Sequence, residues 1–148
     1  MKKMILCFAM VMPALGFSQS KPKFVINHAA LFVTDLKRTG EFYSHVLNLD
    51  SIPEPFHDGR HIWYSLGMGN MALHIIQGAD KSKEYFQNNH LCFRTDDVIG
   101  FSKVLQERNI PWVDAKGNPY KITNRVDGVH QLFLQDPDGY WIEVNDAK

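Results

Sequence analysis

Two stretches of this 148-residue chain follow the same plan. Asn27-His28 and Asn89-His90 each open a hydrophobic run that leads into Thr-Asp and then a helix-like pattern. The offset is 62 residues for the histidines and 61 for Thr34-Asp35 against Thr95-Asp96. Such an echo is a tight constraint on the fold, because each copy must form the same supersecondary unit and bury a face against its neighbour. Solenoid arrays generally need three or more repeats, so two copies in a chain of this length indicate pseudo-symmetry within one domain. The repeat also puts a histidine at the same structural point in each half.

In the first half, residues 24–33 are apolar and β-branched with few breaks, which predicts a strand, and Thr34 or Asp35 can cap the helix that follows. Leu36, Phe42, Tyr43, Val46 and Leu47 fall on one face of that helix, and Asn48 ends it. Strands are expected at 49–52, 61–66 and 71–77, the last two joined by Gly67-Met68-Gly69-Asn70, a hairpin signal. The second half repeats the order: a strand at 90–94, Thr95-Asp96-Asp97 as cap, and a helix carrying Val98, Phe101, Val104 and Leu105 that stops at Asn109 and Pro111. A short strand near Trp112 and Val113, a polar stretch at 116–128 and strands at 129–135 and 140–145 complete it. The last two strands are joined by Asp136-Pro137-Asp138-Gly139, which has type I turn chemistry. Each half therefore reads βαβββ, with modules at 24–80 and 88–146 of a single domain spanning 21–148.

Residues 1–20 read as an export signal: Lys2 and Lys3, an apolar run from Met4 to Phe17, then Gly16, Ser18 and Ser20 around a cleavage point. The mature protein is expected to be exported, periplasmic or secreted, and not membrane-bound. Cys7 lies too early in the run to look like a lipid-attachment cysteine. Without the signal, 14 basic residues face 16 acidic ones, a net charge of −2. That balance gives no pull toward nucleic acid or an acidic membrane. Only Cys92 then remains, so no intrachain disulfide can form and the fold must rest on its core.

If the modules are equivalent, their last strands should offer counterparts to the paired histidines. Those strands contain His74, within Ala72-Leu73-His74-Ile75-Ile76, and Glu143, within Trp141-Ile142-Glu143-Val144-Asn145. A carboxylate buried without a partner costs several kcal/mol, so Glu143 calls for a cation, a hydrogen-bonding cluster or water beside it. His28, His74, His90 and Glu143 together make a first shell for one divalent metal ion, and nitrogen and oxygen donors without thiolate suit Zn, Ni, Co, Mn or Fe. A single strand histidine is more often a hydrogen-bonded residue than a ligand; here four polar residues at repeat-equivalent sites favour metal. His45, His57, His61 and His130 read as structural or solvated. Cys92 shares strand parity with His90 and reads as a small buried residue, while Trp63, Tyr64, Trp112, Phe133 and Trp141 mostly build core or line a pocket.

On Asn27-His28, Asp35-Leu36, Glu41-Phe42-Tyr43, Val46-Leu47, Ala72-Leu73-His74-Ile75, His90-Leu91-Cys92-Phe93, Asp96-Asp97-Val98, Gln131-Leu132-Phe133, Asp136-Pro137-Asp138-Gly139-Tyr140 and Ile142-Glu143, the chain resembles the vicinal oxygen chelate superfamily. This group includes glyoxalase I, extradiol dioxygenases and fosfomycin-resistance proteins. The resemblance covers about residues 24–146. It implies an α+β fold of two βαβββ modules in an open, curved, barrel-like mixed sheet with helices outside. It also implies one divalent metal held at His28, His74, His90 and Glu143, and a homodimer whose site can combine modules of two chains. In such proteins the metal leaves positions open for two neighbouring substrate oxygens and stabilises an oxyanion or enolate. A carboxylate, here Glu143, serves as ligand and base.

Several activities are compatible with that resemblance. The first is lyase or isomerase chemistry of glyoxalase type on a small-molecule substrate. Glyoxalase I commonly has glutamate where this chain has His74, and this departure together with export weakens a glutathione-dependent reading. His28, His90 and Glu143 could instead form the two-histidine, one-carboxylate face of an extradiol-type dioxygenase, although His74 would occupy space there. Opening of a small epoxide is a third, with Lys121 and Arg125 meeting an anionic substrate. The alternative outside catalysis is a non-catalytic small-molecule or antibiotic binding protein. The loops 53–60, 78–88 and 116–128 that should shape the pocket carry no readable motif.

Overall fold

The structure, a computed structural model, describes residues 23–67 and 69–148, so the export signal expected at 1–20 lies outside the described residues. The first module comprises β1 (His28–Val33), α1 (Leu36–His45), β2 (Ser51–Ile52), β3 (His61–Ser65) and β4 (Ala72–Gln77). The second comprises β5 (His90–Arg94), α2 (Val98–Glu107), β6 (Trp112–Val113), β7 (Thr123–Asn124), β8 (His130–Gln135) and β9 (Trp141–Asn145). Their sheets run β1-β4-β3-β2 and β5-β9-β8-β6, with β7 added on β8. In each, the first strand lies parallel to the last and the remaining pairs are antiparallel. The sheets remain two open mixed sheets and do not close into a barrel.

The repeat extends to capping. Asp35 accepts from Arg38 N in α1, and Asp97 accepts from Gly100 N in α2, each satisfying a donor that the first helical turn leaves free. Asn48 and Asn109 both take positive φ just beyond the helices, a conformation asparagine tolerates better than most residues.

Two differences from the sequence reading have physical causes. The first strand begins at His28 instead of residue 24: Phe24, Val25 and Ile26 are apolar, but β4 ends its register at His28↔Ala72 and all three side chains are exposed. The polar stretch 116–128 contains the added strand β7, whose Thr123 pairs with Gln131.

Along β1, Leu31 and Val33 are buried while His28, Ala30 and Phe32 face out, the period-two alternation of a strand packed on one side. Leu31, Val33, Tyr43, Tyr64, Leu73 and Ile75 join Val98, Leu105, Leu132, Leu134 and Ile142 in one continuous core spanning both modules. Burying each large aliphatic side chain contributes roughly 1.5–3 kcal/mol.

The turn between β8 and β9 pins the two modules together. Asp138, only 2% exposed, accepts from Thr34 N at 2.8 Å, Thr34 Oγ1 at 2.8 Å and Thr39 Oγ1 at 2.7 Å. Asp136 shapes the turn itself, its Oδ1 accepting from Asp138 N and Tyr140 N at 2.9 Å each, while Tyr43 Oη donates to its Oδ2 at 3.2 Å. Burial pushes the Asp136 carboxyl up to about 6 despite those backbone donors. Burial first, and the Asp136 charge after it, push the Tyr43 hydroxyl well above its ordinary value, so it remains a donor. Gly139 completes the turn at φ +89°, with the Lys83 carbonyl oxygen 2.7 Å from where a Cβ would stand. The Tyr140 hydroxyl accepts from Phe32 N and donates to Phe32 O, satisfying the outer edge of β1. The Asp136-Pro137-Asp138-Gly139-Tyr140 string thus serves assembly.

Candidate metal centre

In the first module the register pairs Ala30 with His74, and in the second it pairs Cys92 with Glu143. His28 and His74 therefore share one sheet face on a diagonal, as do His90 and Glu143. The repeat-equivalence expected from sequence is realised strand for strand.

The first pair is a ring stack. The His28 and His74 centroids lie 4.3 Å apart at 9°, and His74 lies against Trp63 at 3.9 Å and 2°. The Trp63 indole N–H is buried without a partner among the described residues. An unpaired buried donor costs about 1–3 kcal/mol, so the stack fixes the indole despite that loss. Trp63 was expected mainly in the core; here its ring backs His74. The His28 Nδ1 lies 2.9 Å from Asn27 Oδ1. An amide oxygen only accepts, so Nδ1 carries the hydrogen and Nε2 keeps its lone pair for a ligand role. Burial, followed by the neighbouring His28 and His61, lowers the pKa of His74 and favours the neutral imidazole that metal binding requires.

The second pair is tighter and more deeply set. His90 Nε2 lies 3.1 Å from Glu143 Oε2, with Glu143 only 7% exposed. Behind Glu143, Asn145 Nδ2 donates to Oε1 at 2.7 Å and also reaches Cys92 Sγ at 3.1 Å. Behind His90, Nδ1 meets the Gln87 carbonyl at 2.8 Å. A carbonyl only accepts, so His90 Nδ1 holds its hydrogen and a neutral ring would aim the Nε2 lone pair at a carboxylate oxygen. Two lone pairs at this distance call for a proton or a cation between them.

Cys92 is exposed on this face, not buried as expected, because it stands beside Glu143 on the open side of β5. Although the residue as a whole is exposed, partial desolvation of its sulfur, and the Glu143 charge after it, push the thiol up to about 11, so it is a poor nucleophile at neutral pH. Arg125 reaches Gln131 Oε1 at 3.5 Å and is paired with Asp127 at 2.6 Å. His130 is tied to Asp146 at 2.8 Å. A cavity of about 520 Å³ opens over the first module, with Asn27, His28, Phe56, His61, Trp63 and His74 among its walls. His61, read from the sequence as structural, opens β3 where a strand was expected and lines this cavity. Its only sequence signal was that it shares strand parity with Trp63.

The donor set, three imidazoles and a carboxylate, suits a divalent cation. Among the described residues, however, no three His, Cys, Asp or Glu side chains gather into one metal cluster. Each module offers a pair.

Comparison with known proteins agrees with this architecture. The model for the Glyoxalase/Bleomycin resistance protein/Dioxygenase superfamily matches residues 25–144. The chain belongs to that superfamily. A lactoylglutathione lyase of Pseudomonas putida is 24% identical over 153 residues, covering 82% of this chain and 84% of the relative. Among solved superfamily-like folds, Oxidase ChaP-H2 superposes with a TM-score of 0.69 at 20% identity, covering 86% of this chain and 96% of its own. The fosfomycin resistance protein FosX of Listeria monocytogenes does so with a TM-score of 0.66 at 16% identity, again covering 86% and 96%. Identities this low show the fold alone.

Proposed function

We propose that this superfamily member is an exported metal-dependent enzyme that acts on a small oxygen-bearing molecule by lyase or isomerase chemistry. His28, His74, His90 and Glu143 hold one divalent ion. The observation that carries the reading is the His90–Glu143 contact, in which both partners are fixed from behind and present lone pairs to each other across 3.1 Å. Because each module supplies only a pair, the reading includes a homodimer in which the pair of one chain faces the complementary pair of its partner. The relatives named as lactoylglutathione lyases support the reaction class, and the apolar run and lysines of residues 1–20 support export.

The bound ion would supply Lewis-acid stabilisation of a negatively charged substrate oxygen. The protein side of the chemistry is orientation. Asn27 and the Gln87 carbonyl set the tautomers of His28 and His90, Asn145 fixes the Glu143 carboxylate, and Trp63 holds the plane of His74.

The test is metal analysis of protein purified without added metal or chelator, then stripping and re-addition. Turnover of 2-oxoaldehydes with a thiol, of epoxides and of catechols is followed alongside. Bound metal, with turnover that vanishes on stripping and in Glu143→Gln, is expected. Failure to bind any divalent ion, with ligand-to-alanine variants indistinguishable from wild type, would sink the reading. Metal binding without any turnover would favour a binding protein.

A further inference from the structure

The cavity over the first module contains a titratable pair that the ligand set does not use. His61 opens β3 and faces Ile76 across the sheet, two register positions from Trp63↔His74 and therefore on the same face. Its Nδ1 lies 2.8 Å from Asp58 Oδ1, and the Asp58 carboxylate also accepts from Arg60 N at 2.9 Å, so the acid is fixed independently of the imidazole. Phe56 packs on the His61 ring at 4.7 Å and 36°, which sets its plane. His61 and the Arg60 N–H hold the Asp58 carboxyl below its ordinary value, which keeps the acid in its charged, accepting form.

A carboxylate only accepts, so His61 Nδ1 carries the hydrogen and Nε2 bears a lone pair. Nε2 has no hydrogen-bond partner among the described residues, and the ring that carries it lines the cavity. An imidazole oriented by an acid on one nitrogen and open on the other is the arrangement of a general base. Glu143 is less free, since Oε1 is held by Asn145 and Oε2 faces His90. The repeat makes the contrast sharper. The counterpart of His61 in the second module is Gln131, two register positions from Phe133↔Glu143, and an amide cannot exchange a proton with substrate. Only one half has a proton carrier at this point.

We propose that His61, oriented by Asp58, is the acid–base residue of this site. It would act on a small planar carbonyl compound with a neighbouring oxygen, seated against Phe56 and Trp63. The C–H bond beside the carbonyl breaks, its electron pair stays on the substrate as an enolate, and the proton passes to His61 Nε2. Returning that proton to the former carbonyl carbon, while the hydroxyl proton shifts between the two neighbouring oxygens, completes an isomerisation with no change of oxidation state overall. Ile52, Phe56, Trp63 and Ile76 in the cavity wall favour an apolar planar body over a long charged one. The assignment rests on the metal-enzyme reading for its enolate stabilisation and on the cavity for the base.

The probe is 2-hydroxyacetophenone, an aromatic hydroxyketone, incubated with zinc- or nickel-loaded protein in deuterium oxide while loss of its CH₂ proton signal is followed by NMR. Wild type should exchange these protons, and His61→Gln should slow exchange by about a hundredfold or more, the scale of a lost general base. Asp58→Asn should slow it less. Both variants should bind metal with wild-type affinity and retain the probe-induced shifts of nearby amides. On metal-free protein, nitrogen-15 spectra should show His61 protonated at Nδ1, with that tautomer lost in Asp58→Asn. Wild-type exchange rates in His61→Gln, no exchange by a wild type that binds metal, or a proton on Nε2 would each overturn the assignment. A protein that binds no metal yet shows the Nδ1 tautomer and the probe shifts would instead remove the metal reading while leaving His61 in place.

Discussion

His28 and His74 meet as stacked imidazoles on an open sheet face, whereas His90 and Glu143 meet as an imidazole and a carboxylate with Asn145 and the Gln87 carbonyl behind them. Both pairs occupy the same diagonal across a parallel strand pair, so the backbone treats them alike. What differs is the support. In the first half, aromatic stacking and an exposed amide orient two imidazole rings. In the second, buried hydrogen bonds hold a carboxylate whose burial would be costly without them. The difference shows that one βαβββ frame can carry a polar pair fixed from behind by buried hydrogen bonds and another held mainly by ring stacking.

The comparison is open to attack first at the pin that the halves share. Asp138→Ala removes a buried acceptor from Thr34 and Thr39 and leaves their donors unpaired, so unfolding stability at pH 7 should fall by about 3–5 kcal/mol. Urea denaturation measures this, and a change within 1 kcal/mol, roughly the effect of a surface substitution, would show that the turn does not join the modules.

A pH series then separates the turn from the two half-sites. The folded pKa of Asp136, about 6, stands above an unfolded value of roughly 3.9, so the native state holds its proton longer. Stability linked to this group is therefore present below about pH 4 and falls as pH rises through about 6, by up to about 3 kcal/mol. Asp136→Asn is neutral throughout, so its stability relative to wild type should climb by that amount between pH 4 and 7. Parallel curves for the two proteins would rule out the buried acid as the cause.

The smallest effect tests the contrast directly. Asn145→Ala should weaken metal affinity by 10–100-fold, the usual cost of losing a partner behind a ligand, whereas exposed Asn27→Ala should cost less than about tenfold. Equal losses in a competitive chelator titration would erase the asymmetry between the halves.

Much of this was legible along the chain. The repeat, both helices with their aspartate caps, the asparagine stops and the order of elements along the chain follow from local periodicity and capping chemistry. The four ligand candidates are legible as polar residues at repeat-equivalent points of otherwise apolar strands. Phe24-Val25-Ile26 read as strand because pattern alone cannot show that no neighbouring strand lies beside it. Cys92 read as buried because parity gives a face but not which face is covered. His61 was passed over because Asp58, three residues away in a loop, gives no sign in sequence that its carboxylate folds back onto the ring.

The sequence by itself determined two βαβββ modules, every element in each but the added strand β7, and a histidine or glutamate on matching strands, because such signals act over a few residues. Only the tertiary structure decided that Asp138 buries itself in the first module, that His90 faces Glu143 across 3.1 Å while His28 stacks on His74, and that the four candidate ligands stand two by two in the described chain. Those contacts join residues 46 to 104 positions apart, and their geometry depends on strand register and packing that no local pattern encodes.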